Sequence, residues 1–218
     1  IYPWSLPATR RPLPQATQIT MLSNDVQRTL LGVWAIHRAR TEGRKVLAIT
    51  PRSRQMEQIR ELLLSPREES VSNSAELLIV FAARAQHIYQ VIEPSLSEGA
   101  WVLCDRFTDA TYAYQGAGRL MDTGLIAELE MMVQGSLRPD LTLILDIPVQ
   151  IGLKRAGERS TPDRFELEQV EFFERVRSQY LQIAKDNPQR CVVIDASKPL
   201  EAVQAQIGAA LERFLESI

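Results

Sequence analysis

Four short apolar runs punctuate the chain: Lys45-Val-Leu-Ala-Ile-Thr50, Trp101-Val-Leu-Cys-Asp105, Leu141-Thr-Leu-Ile-Leu-Asp146 and Arg190-Cys-Val-Val-Ile-Asp195. Each is too short for a helix and too continuously apolar for a strand with one wet face. Such runs predict strands buried on both sides of a sheet. Between them the apolar positions recur at the helical period. Residues 25–40 carry Val26, Leu30, Val33 and Trp34 on one side, with Ser23 or Asn24 as cap and Gly43 as the stop. A second helix is predicted over 55–64, ending before Ser65-Pro66, and a charged, serine-rich loop follows to Ser74. Residues 75–96 set Leu77, Leu78, Phe81, Ile88, Val91 and Ile92 on an apolar side. Further helices are predicted over 122–133, from near Val149, over 166–185 and over 201–217. Gly116 and Gly118 predict a loop after the central apolar run, and Arg138-Pro-Asp140 a turn. Residues 1–18 hold Pro3, Pro7, Pro12 and Pro14, which block helix and predict an extended or disordered arm.

Strands alternating with helices predict a three-layer α/β fold with a mainly parallel sheet. No repeat or linker divides the chain, so one domain over 1–218 is expected.

Composition narrows the partners more than the fold. A net charge of −2 leaves no electrostatic footprint for nucleic acid or a membrane surface, so neither is expected. No apolar run has the length of a bilayer span, and the N-terminal residues lack a secretory pattern. Cys104 and Cys191 sit in strand-like runs without metal-ligand spacing, which reads as buried thiols and a cytoplasmic location.

The candidate chemistry starts where the second apolar run ends. Asp105-Arg106 would stand at the carboxyl end of a buried strand, where open α/β sheets bind ligands. Arg106 can grip a phosphate with its planar fork, and Asp105 can accept a proton or hold a magnesium water. An isolated Asp-Arg pair is more often a surface ion pair. Here Thr111, Tyr114 and Gln115 follow at helical spacing and could present hydroxyls and an amide to one ligand. Arg84 lies almost one turn from Phe81, so both can face one cavity. For Phe81 core packing competes evenly with ligand stacking. Residues 153–166 collect Arg155, Arg159 and Arg164 in one polar stretch. Arginines that close over a migrating phosphoryl group stabilise its charge and exclude water.

On Asp105-Arg106-Phe107, Thr111-Tyr-Ala-Tyr-Gln-Gly116 and Asp163-Arg164-Phe165-Glu166, the chain from about Gln58 onward resembles the bacterial thymidylate kinase family. The resemblance implies a P-loop-kinase-like fold and transfer of the γ-phosphoryl group of ATP to dTMP, with Mg2+. It implies that Asp105 orients the metal or the acceptor phosphate, while Arg106 and Arg84 hold that phosphate. By the same resemblance Phe81 stacks on thymine, Thr111 and Gln115 read the base, and Tyr114 lies near the sugar. Arg155, Arg159 and Arg164 become lid arginines, Asp195-Ala-Ser-Lys-Pro199 packs on adenine, and the chain pairs as a homodimer through 75–96 and 122–133.

One departure stands out. Kinases of this class carry Gly-x-x-x-x-Gly-Lys-Ser/Thr after the first strand, where backbone N–H groups cradle phosphate. The corresponding stretch, Thr20-Met-Leu-Ser-Asn-Asp-Val-Gln-Arg28, has neither glycine nor lysine, and Asp25 would repel an anion. A phosphate grip through Arg28, Arg52 or Arg54 is one explanation. A second is a catalytically silent module of the same fold that binds a nucleotide or a partner without turnover, and a third is a frame slip upstream of Gln55, which would produce so sharp a boundary.

Overall fold

A computed structural model describes residues 18–21, 46–49, 71–157 and 168–217. The four predicted runs are strands: β2 (Val46–Ile49), β3 (Trp101–Asp105), β4 (Leu141–Asp146) and β5 (Cys191–Asp195). A fifth, β1 (Gln18–Met21), has no counterpart in the sequence reading, which ended an arm at Gln18. It is nevertheless the middle strand. The order is β2-β3-β1-β4-β5, and every neighbouring pair is parallel. The helices predicted over 25–40 and 55–64, the arm over 1–17 and most of the proposed lid lie outside the described residues.

The helices are α1 (Asn73–His87), α2 (Glu93–Ser97), α3 (Thr108–Thr111), α4 (Thr123–Gln134), α5 (Val149–Gly157), α6 (Val170–Asp186) and α7 (Leu200–Ser217). Ser72 caps α1, its side chain accepting from the Ala75 N–H at 3.2 Å, and Asp122 caps α4 through the Gly124 N–H at 2.8 Å. A π-helical segment, Ile88–Ile92, joins α1 to α2, so the predicted 75–96 helix is one rod with a widened turn.

Alternation along the strands gives the sheet two faces. Trp101, Leu141, Leu143 and Ile194 pack on Val203, Ile207, Ala210 and Leu211 of α7. On the other face Ile144 and Cys191 meet Ala110, Ala113 and the α6 residues Phe172, Val176, Tyr180 and Ile183. There too Val102 and Cys104 meet Ile88, Ile92 and Phe107. Leu77 and Phe81 of α1 close against Ile126 of α4. Helices on both faces of a parallel sheet make the three layers that the alternation predicted. Among the described residues no helix is long and apolar enough to cross a membrane.

Two expectations need correcting. Leu78, assigned to the apolar side of α1, is 57% exposed. The inward positions are Leu77, Phe81 and Arg84, and Leu78 is turned about 100° away from Leu77. The loop expected through Gly116 and Gly118 is helical. After α3 the chain continues as a second π-helical segment, Tyr112–Gly118. Gly118 serves close packing rather than chain reversal: a Cβ there would stand 2.6 Å from Phe172 Cε2 and 3.0 Å from Val176 Cγ2. Arg175 holds the same bend, donating to the carbonyls of Ala117 (3.1 Å) and Gly118 (2.8 Å).

Gly118→Ala should therefore destabilise the protein by about 1–3 kcal/mol, the usual cost of overpacking a filled core. Urea unfolding followed by circular dichroism measures it; a change within error would mean that α6 yields without cost.

Candidate active site

β1 lies between β3 and β4, and the connections from its two flanks run to opposite halves of the sheet. That is a topological switch point, and its carboxyl edge is the ligand crevice of open α/β folds. Register places Met21 of β1 beside Asp105 of β3 and beside Leu143 of β4. Asp105 and Arg106 thus stand at the centre of the sheet's carboxyl edge. The acids that end β4 and β5 are held locally. Asp146 takes two bonds from Arg177, at 2.7 and 2.9 Å, and Asp195 accepts from the Ser197 N–H at 3.0 Å and from its hydroxyl. The Ser197 hydroxyl, then its N–H, hold Asp195 below its ordinary pKa.

Arg106 adopts φ +63°, a left-handed conformation that costs a residue with a Cβ about 1–2 kcal/mol. The turn swings the chain off the strand and into α3. The Cys104 thiol donates to the Arg106 carbonyl at 3.4 Å, and the guanidinium lies 4.6 Å over the Tyr114 ring. Burial works against its charge, but the hydroxyls of Tyr114 and Tyr180 and the Asp105 carboxylate outweigh it and raise its pKa. Arg106 is a fixed cation. Tyr114 is itself held edge-on by Phe172 (6.0 Å) and Tyr180 (6.4 Å). The Tyr180 hydroxyl is buried without a partner among the described residues, and burial raises its pKa well above the ordinary value.

Arg84, in the last turn of α1, is buried between two rings, 4.7 Å from the Phe81 centroid and 5.3 Å from that of Phe107. Its Nη2 donates to Thr111 Oγ1 at 2.8 Å and to the Phe107 carbonyl at 3.3 Å. Its Nη1 is buried and has no partner among the described residues. Burial draws its pKa down to about 10, with Cys104, Glu130 and Asp109 opposing, so it remains charged at neutral pH.

Arg84 therefore meets Thr111, and Arg106 meets Tyr114, all along one segment. Gln115, one residue further, donates Nε2 to Glu76 Oε1 at 2.8 Å. Phe81 is packed with Leu77 and Ile126, and its ring lies against the Arg84 guanidinium. Arg155 sits on α5 and donates to the carbonyls of Ala196 (2.9 Å) and Ser197 (3.5 Å); it braces the turn after β5. Arg159 and Arg164 lie outside the described residues.

The sequence reading missed the supports beneath this cluster. Glu76 is fully buried and receives, besides Gln115, both Nε and Nη2 of Arg119 at 3.4 Å. Arg119 also bonds Glu168 and lies 5.0 Å from the Phe172 centroid. Asp109 accepts a two-pronged bond from Arg190, at 2.7 and 2.9 Å, joining α3 to the start of β5. The available signal was a glutamate beside Leu77 on an otherwise apolar helix face.

Asp109→Ala leaves Arg190 a largely buried cation without its partner and should cost about 3–5 kcal/mol in urea unfolding. A second effect concerns pH. His87 is held below its ordinary value of 6.5, first by burial and then by nearby Arg84. The unfolded chain takes up that proton more readily, so stability is lost as pH falls through 6.5. His87→Gln should flatten the stability–pH slope below 6.5; an unchanged slope would refute this assignment.

Comparison with known proteins fits this geometry. The family model for thymidylate kinase matches residues 36–207. Thymidylate kinase of Pseudomonas putida (strain W619) is 59% identical over 160 residues, covering 73% of this chain and 77% of that protein. That of Teredinibacter turnerae is 58% identical over 159 residues, covering 73% and 78%. The crystal structure of thymidylate kinase from Ehrlichia chaffeensis superimposes with a TM-score of 0.69 at 28% identity, covering 91% of this chain and all of that one.

Proposed function

The chain belongs to the thymidylate kinase family, whose members phosphorylate dTMP from ATP, and we propose that the carboxyl edge of β3 carries this reaction here. The observation that carries the reading is Arg84. A buried cation with an unpartnered amino group is costly, and an acceptor on a ligand beside Thr111 would satisfy it. Arg84 and Thr111 then take the base end of the nucleotide. The acceptor phosphate falls to Arg106, preset on Tyr114 and needing no reorganisation to meet an anion. Phe81 carries Arg84 from below. Gln115 faces the base and Tyr114 the sugar. Arg159 and Arg164 would close over the transferring group, with Arg155 bracing the adenine side.

A divalent metal neutralises phosphate charge in this chemistry. Among the described residues no group of three or more ligating side chains exists. Mg2+ bound through phosphates, waters and one carboxylate fits that donor set, and Asp105 can supply the carboxylate. The exposed Leu78, Tyr89, Met131 and Met132 on the α1 and α4 rods support a homodimer. We read the whole chain as one cytoplasmic domain.

The missing glycine–lysine phosphate motif favours a second reading, a nucleoside pocket without turnover. One assay separates the two. Mg-ATP and dTMP should yield ADP and dTDP, with turnover reduced about a hundredfold in Arg106→Ala, as for loss of one charge-stabilising donor. Binding of dTMP with no turnover above that variant would establish the silent module instead.

A further inference from the structure

We propose that Glu76 is a positioning residue that fixes the amide of Gln115 and thereby sets which base the pocket admits. The inference rests on the reading above that Gln115 faces the base. A carboxylate only accepts hydrogen bonds, so the amide must turn its NH2 group, not its oxygen, toward Glu76. That is the arrangement observed, at 2.8 Å, with Gln115 3% exposed and Glu76 fully buried. One N–H is thus committed, and Oε1 with the second N–H remains for a ligand.

This donor–acceptor pair complements an imide edge, an N–H beside a carbonyl, as thymine presents. Cytosine presents a ring nitrogen acceptor beside an amino donor. To meet it the Gln115 amide would have to turn over, which would aim Oε1 at the Glu76 carboxylate, two acceptors in a buried site. Arg119 makes that escape harder. Its guanidinium pairs with the same carboxylate at 3.4 Å and is anchored on its other side by Glu168. Glu76 and Arg119 need never touch the nucleotide to act on it.

The test compares equilibrium binding of dTMP and dCMP to the full chain by titration calorimetry, without ATP, for the parent and for Glu76→Gln. A glutamine at 76 can donate or accept, so either orientation of Gln115 is satisfied. The expected result is a loss of about tenfold to a hundredfold in the preference for dTMP over dCMP, the worth of one buried hydrogen-bond mismatch. Equal weakening of both nucleotides with the preference intact would show a merely structural role and overturn the inference while the pocket reading stands. A parent without any preference would overturn both. Should Glu76→Gln fail to fold, Gln115→Met, which leaves the Glu76–Arg119 pair in place, carries the test. It should bind the two nucleotides alike, and a retained preference would overturn the inference.

Discussion

The left-handed backbone at Arg106 is the constraint on which the site depends. An ordinary extended residue there would run β3 past the edge of the sheet. The sharp turn instead drops the chain at once into α3 and the π-helical segment, whose Thr111 meets Arg84, whose Tyr114 meets Arg106 and whose Gln115 meets Glu76. The strain is held by surroundings that over-determine it: the Cys104 thiol on the Arg106 carbonyl and the guanidinium on Tyr114. The same turn sets the Phe107 carbonyl where Arg84 can reach it. Arg84 of α1 and Arg106 at the end of β3 are thereby both held against this short segment.

The two faces of the sheet do different work. The α7 face is a dry cluster of aliphatic and aromatic residues, with Trp101 edge-on to Phe214 at 6.1 Å. The opposite face buries charge: Asp109 with Arg190, Glu76 with Arg119, Tyr112 donating to Glu130 at 2.7 Å, and Thr108 donating to Gln134. Breaking such a pair costs more than forming it contributes, so these groups specify geometry more than they stabilise. Every candidate ligand-facing residue among those described stands on this polar face or its edge. Cohesion comes from one side and placement from the other.

What was legible in the sequence follows from the same division. β3 and β4 announce themselves because a strand largely buried on both faces is mostly apolar, and β2 and β5 carry the same kind of run, although Val193 of β5 is 43% exposed. β1, Gln-Ile-Thr-Met, has only two apolar positions, and its central place comes from hydrogen bonds to β3 and β4 that no local pattern encodes. Asp105, Arg106, Thr111, Tyr114 and Gln115 could be singled out as candidates because they stand close together in the chain. Glu76 and Arg119 could not, being 43 residues apart, and Asp109 and Arg190 are 81 apart. Arg155 read as a lid arginine because charge density is visible in a sequence and direction is not; its guanidinium turns to the Ala196 carbonyl.

The central position of β1 has a kinetic meaning. Gln18 pairs with Val102 and Ile19 with Leu141, so the middle of the sheet joins segments far apart in the chain. Contacts this remote must close large loops before they return any stability, which slows folding. On the ribosome the strand that ends at the middle of the sheet emerges before both of its neighbours and must wait for them. Until β3 and β4 arrive, it offers two open edges to any other chain nearby.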